Sequence, residues 1–167
     1  IDGVHTVMSS AVLYAGLVGL ESTAIIIGLL IVQFVAFPFT IFWAYIADRY
    51  NDKLVINLSI IIYIGVIIFS LTLNSPVEFY ILAALVGSVQ GGIQASSRSF
   101  FASIIPEEKS GEFFGFFNMF GKAGAFIGPT LVAISLSPQN VQLGLLPVIL
   151  LFVSGGIILL KVKNEAI

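Results

Sequence analysis

Residues 87–129 read GSVQGGIQASSRSFFASIIPEEKSGEFFGFFNMFGKAGAFIGP. Two apolar segments stepped with glycine flank a short charged turn, Pro106 to Ser110. Both carry polar groups that hydrocarbon penalises: Gln90, Gln94 and Arg98 in the first, Asn118 and Lys122 in the second. Each set recurs at every fourth position, so on a helix each forms one stripe. Gly87 to Gly91, Gly111 to Gly115 and Gly124 to Gly128 are small-xxx-small steps, the spacing at which membrane helices approach closely. Lys122 falls about 16 Å along the second segment at ~1.5 Å per residue, close to the midplane of a ~30 Å hydrocarbon core. Its charge there costs on the order of 3 kcal/mol even on lenient insertion scales. Lys122 is therefore the strongest candidate for a solute-binding group, with Asn118 one turn away; an internal salt bridge is the structural alternative. Gln90 and Gln94 either face a cavity or bridge helices. Arg98, near a helix end, reads as a structural group able to snorkel or bond helix-end carbonyls.

Outward from this stretch the composition is uniform in character. Of the 167 residues, 58% are hydrophobic and 10% charged, and the mean hydropathy is +1.09. No soluble core buries that much, so the expected class is an all-α membrane protein. A net charge of −2 without a basic cluster argues against a nucleic-acid partner. Membrane lipid and a small-molecule solute are the partners expected. With no cysteine and a single histidine, His5, the chain offers no disulfide framework and no metal cluster, and no cofactor is expected. Nor does any nucleophile sit beside a base and a second carboxylate, so an enzyme is not expected.

Turn and capping residues divide the chain into six apolar pieces, near 1–19, 22–47, 53–73, 77–102, 111–136 and 140–161. Arg49 and Lys53 occupy the second connection, Arg98 and Lys109 flank the fourth, and Lys161 and Lys163 follow the last piece, whereas the other connections lack lysine and arginine. The positive-inside rule then places the second and fourth connections and the carboxyl end in the cytoplasm. The chain reads as one domain over 1–167, with upstream residues expected to be missing because its first apolar run is short and Asp2 stands where a helix would continue. Asp2 and His5 share a helical face and form either a coupling site or an exposed helix start. Gln33 reads as glue between helices, and Pro38 as a kink. The piece near 53–73 is apolar on every side and reads as lipid-facing. The last piece carries Pro147 and Gly155–Gly156 and reads as packing.

The second connection, Ala44-Tyr45-Ile46-Ala47-Asp48-Arg49-Tyr50-Asn51-Asp52-Lys53, resembles the G-x-L-A-D-R-x-G-R-K signature of the major facilitator superfamily. It departs at Ala44, Asn51 and Asp52, and this degraded match points to the weaker copy of the signature in the second half of those transporters. Asn51 replaces glycine, which asparagine can do because it tolerates left-handed backbone. Asp48 and Arg49 are candidates for a conformational latch that pairs charges across helix ends, or else a turn that only sets topology.

A narrower resemblance lies in Gln94-Ala95-Ser96-Ser97-Arg98-Ser99, Ile105-Pro106, Glu112-Phe113-Phe114-Gly115-Phe116, Gly121-Lys122 and Gly128-Pro129, together with Asp2-Gly3-Val4. These are similar to the vacuole-effluxer family of the same superfamily, whose fungal members are associated with export of amino acids. The resemblance implies the carboxyl-terminal half of a twelve-helix transporter: six helices in two inverted three-helix repeats, the first and fourth lining the cavity and the second and fifth at its sides. It implies alternating-access transport of a small polar solute, with Lys122, Asn118, Gln90 and Gln94 as cavity residues and Asp2 in proton coupling. The partner would be a missing amino-terminal half or a second copy. The alternative is a six-helix membrane module that assembles without transporting.

Overall fold

The computed structural model describes residues 19–72, 75–135 and 146–162, with Val4, Val7, Val12, Ala15 and Gly16. Five helices are continuous among the described residues: α1 (Ser22–Arg49), α2 (Asp52–Ser70), α3 (Pro76–Ile104), α4 (Ser110–Ser135) and α5 (Leu146–Lys161), with a tighter single turn at Glu107–Lys109 before α4. Four of them are long and apolar enough to cross a membrane, and α5 is a shorter apolar helix. The expected first piece, with Asp2 and His5, lies outside the described residues apart from Val4, Val7, Val12, Ala15 and Gly16. These five are helical, and Val4, Val7 and Ala15 are buried.

Each boundary has a local cause. Gly19 takes φ +88°, and its N–H and that of Leu20 bond the carbonyls of Gly16 and Ala15 at 3.1 and 3.0 Å. This double closure ends a helix and needs a residue without a Cβ. Asn51 opens α2: its side-chain oxygen accepts from the Leu54 N–H at 2.7 Å. Its backbone is extended, with φ −176°, so the expected left-handed role is replaced by helix capping. Ser75 opens α3 through a reciprocal capping box with Glu78, and Pro76 fills the first helical position where a missing N–H costs nothing. Ser75→Ala should lower stability by about 1 kcal/mol, the usual worth of such a cap. Thermal melting of the purified protein checks it, and Ser75→Asp should retain most of the stability.

The described helices are held together mainly by α1 on α3 and α3 on α2, with α5 contacting both α2 and α4. Along the first seam Gly28 meets Phe79, Val32 meets Gly87, Thr40 meets Gly91 and Trp43 meets Gly92, so the two helices run parallel. Gly92 has a specific task. With no side chain there, the Trp43 indole reaches the Ser88 carbonyl one turn earlier and donates to it at 2.6 Å. That bond satisfies the one donor of a buried indole.

The expectation that residues 53–73 face lipid is corrected. Helix α2 buries Val55, Ile56, Ser59, Tyr63, Val66 and Ile67, all on one side. The Tyr63 ring stacks on Phe152 of α5 at 5.0 Å. At the other end Lys53 donates to the Val162 carbonyl at 2.7 Å, tying the start of α2 to the end of α5. Large apolar side chains remain exposed on every helix, among them Phe34, Phe37, Phe126 and Ile134. In water such a surface would aggregate; in a bilayer it is the lipid contact.

Candidate polar lining of a solute path

The polar side chains singled out from the sequence fall on two helices with different surroundings. On α3, Gln90 and Gln94 are half-buried, while Arg98 is exposed toward the helix end. On α4, Asn118 and Lys122 are both exposed. Lys122 follows Ser110 by twelve residues in a 26-residue helix, which keeps it near mid-length, ~18 Å from the helix start.

Aromatic contacts fix how α3 and α4 stand against each other. Phe101 stacks on Phe117 at 4.7 Å and meets Phe114 edge-on at 5.5 Å. The helices run oppositely, so moving back one turn from Phe101 to Ser97 corresponds to moving on from Phe117 to Gly121. These two line one cavity. Lys122 therefore stands at the depth of Ser97 to Gln94, and Asn118 nearer the level of Arg98. Among the described residues no acid or acceptor meets the Lys122 ammonium. On its own helix the face carrying Asn118 and Lys122 continues in small residues, Gly111 and Gly115 on one side and Ala125, Pro129 and Ala133 on the other, with a shallow hollow around Pro129. The bulky exposed groups Phe116, Phe120 and Ile127 lie on a different face, while Phe126 and Ile134 border the hollow. Helix α4 thus has one lipid-like flank and one small, polar flank.

Gln33 is a residue whose place the sequence did not reveal. Expected to be glue between helices, it is exposed on α1 and meets no described partner. Its neighbour Val32 packs against Gly87, three residues before Gln90. Gln33 and Gln90 thus sit within about one turn of each other along the α1–α3 seam. The available signal was the stripe Gln33, Ala36, Thr40, Ala44, small or polar at helical spacing, beside a helix stepped with Gly87 and Gly91. An amide exposed at mid-helix in hydrocarbon is unfavourable, so this flank of α1 requires water or protein beside it.

Ser59 and Tyr63 were also missed. Both side chains are fully buried, and neither hydroxyl has a partner among the described residues. In an otherwise aliphatic helix, their spacing of four was the one cue that they share a face.

At the basic end of the bundle, Asp48 and Arg49 are exposed, and the Arg49 guanidinium donates to the Tyr45 hydroxyl at 3.3 Å. Among the described residues neither meets an opposite charge. Asp2 lies outside the described residues.

Comparison with known proteins identifies the family. A family model described as vacuole effluxer Atg22 like matches residues 1–166. An uncharacterized MFS-type transporter, YxiO, of Bacillus subtilis is 38% identical over 166 residues, covering 99% of this chain and 39% of the relative. Autophagy-related protein 22-1 of Penicillium rubens is 31% identical over 147 residues, covering 78% of this chain and 25% of the relative. Autophagy-related protein 22 of Eremothecium gossypii is 38% identical over 71 residues, covering 42% and 14% respectively. The chain thus spans well under half the length of these relatives. No solved structure matches it. With helices of spanning length and transporter relatives, this is an integral, multi-pass membrane protein. The match over nearly every residue makes the chain a member of the vacuole effluxer Atg22-like family.

Proposed function

We propose that this chain forms one half of a secondary transporter that moves a small polar solute by alternating access. Six helices, the first over residues 1–19, would form two inverted three-helix repeats, completed by another half of the same protein or by a second copy. The observation that carries the reading is Lys122: a cation at the middle of a spanning helix, on its small-residue flank, with no described counter-ion. A charge in that position is retained at a cost, and a solute that brings a negative group offsets it. Gln90 and Gln94 of α3, Asn118 of α4 and Gln33 of α1 would supply amides that both donate and accept. An ammonium with several amides suits a zwitterion, so amino acids are the solute class we favour.

Asp2 would carry the coupling proton, and Asp48 with Arg49 would latch the cytoplasmic ends in one conformation. A charge pair made in only one state changes the balance between states, so Asp48→Asn should shift that balance and slow turnover while leaving solute affinity within a few-fold. Initial rates against solute concentration separate the two effects.

The solute class is tested in proteoliposomes holding the intact protein. Neutral amino acids should compete with a labelled amino acid, while their amides and esters, lacking the carboxylate, and simple sugars should not. Gln94→Leu should raise KM roughly 5- to 30-fold, the effect of about 1–2 kcal/mol for a lost hydrogen bond. Competition by sugars equal to that by amino acids, or the absence of any transport, would remove the reading.

A further inference from the structure

A second feature lies apart from the polar flank. Helices α2 to α5 line an open cavity of about 610 Å³ toward the end of the bundle that carries Lys53 and Lys161, with walls that include Ile56, Ile93, Phe101, Phe117, Phe152 and Leu159. Among the described lining residues only Ser97 has a polar side chain. None of Gln33, Gln90, Gln94, Asn118 and Lys122 lines it, so it is not the solute path proposed above. Its volume lies within the range of sites that take small organic ligands.

Two observations identify what it would take. First, its rim on α4 is Phe113, Phe116 and Phe120, which line the cavity and are also exposed on the outer surface of the helix. Phe116 and Phe120 belong to the bulky flank of α4, on the side of the helix away from Asn118 and Lys122. Second, the end of the cavity is marked by the carbonyl-bearing residue Val162, which lines it and accepts from the Lys53 ammonium at 2.7 Å. That bond holds the ammonium beside a residue of the cavity wall, with two of its three N–H donors left over. Lys161, in the last turn of α5, adds a second cation at the same end, where the acids are Asp48, Asp52 next to Lys53, and Glu107, Glu108 and Glu112 around the start of α4. This is also the end that the distribution of lysine and arginine places in the cytoplasmic leaflet, where anionic lipids are concentrated.

We infer that the cavity is a binding site for a single anionic phospholipid of the cytoplasmic leaflet, its acyl chain among the phenylalanines and its phosphate on Lys53. The aromatic walls give a chain broad apolar contact, and Lys53 selects the headgroup by charge. Since Lys53 also ties α2 to α5, an occupied site would brace that junction and lipid would stabilise the bundle by mass action.

The experiment is melting of the intact protein in detergent with added phosphatidylglycerol or phosphatidylcholine, supported by native mass spectrometry of retained lipid. In the unaltered protein, phosphatidylglycerol should raise the melting temperature by several degrees more than phosphatidylcholine, with one lipid retained. Gly155 lines the cavity and has nothing within 4 Å of a built Cβ, so Gly155→Leu has room and should fill the space. It should abolish the lipid-dependent shift without lowering the melting temperature in detergent alone. Lys53→Gln should equalise the two lipids. Equal shifts from both lipids in the unaltered protein, or an undiminished shift in Gly155→Leu, would overturn the inference. Removing residues 163–167 distinguishes the chain's own tail as the occupant: lipid binding that appears only after truncation counts against the inference, and unchanged binding supports it.

Discussion

Replacing Lys122 with methionine is expected to reduce transport by roughly 10- to 100-fold and to leave the protein at least as stable as before. The first figure follows from removing a charge-assisted hydrogen bond to the solute, worth about 1.5–3 kcal/mol. The second follows from where the side chain stands. Lys122 is exposed on the small-residue flank of α4 and meets no described counter-ion, so its removal breaks no internal pair and relieves a desolvated charge. A lysine that only held the bundle together would behave in the opposite way, because breaking a buried pair costs several kcal/mol. Melting temperature and initial transport rate, measured on the same preparation, decide between the two. Lys122→Arg is the informative companion. It keeps the charge but spreads it over a planar fork on a longer stem, so partial activity with a raised KM is expected where the ammonium touches solute. Activity unchanged in Lys122→Met, with the protein folded, would remove Lys122 from the path.

The helix ends were legible in the sequence because caps are local. Gly19, Asn51 and Ser75 each act on backbone groups within a few residues, and the helices begin and end within about two residues of the expected limits where both are described. Which side of a helix is buried was legible only where composition differs between sides. On α4 the contrast between Phe116, Phe120 and Ile127 on one flank and Gly115, Asn118 and Lys122 on another is visible at once. On α2 every side is aliphatic, and burial is decided by neighbours distant in sequence, such as Phe152 stacked on Tyr63. The same holds for Gln33. It is exposed beside the seam where its neighbour Val32 packs against Gly87, a pairing between positions more than fifty residues apart. Asn51 shows a third kind of gap: the motif placed a special residue there, and the backbone shows that its service is a capping bond and not a left-handed turn.

The α1–α3 seam yields the second large effect, through a comparison of two glycines. Gly65 and Gly87 are both helical, and in an unconstrained helix alanine is favoured over glycine by up to about 1 kcal/mol. A Cβ built on Gly65 meets nothing within 4 Å, so Gly65→Ala should be neutral or stabilising. A Cβ on Gly87 would lie 2.6 Å from the Val32 carbonyl oxygen and 3.1 Å from its Cα. Carbon and oxygen do not settle closer than about 3.3 Å even in favourable C–H···O contacts. The obstacle is backbone, which has no rotamer to change, so the whole seam must open. Gly87→Ala should therefore reverse the sign of its counterpart, lowering stability by about 1–3 kcal/mol, the usual cost of overpacking. The opening also moves the flank of α1 that carries Gln33 away from Gln90, and the proposed solute path uses both amides. Transport by whatever fraction of Gly87→Ala remains folded should accordingly show a raised KM, whereas Gly65→Ala should not. Melting in detergent supplies the sign, and kinetics on the folded fraction supply the link from packing to solute. Equal melting temperatures for the two variants would mean that the helices are not held at the distance their glycines allow.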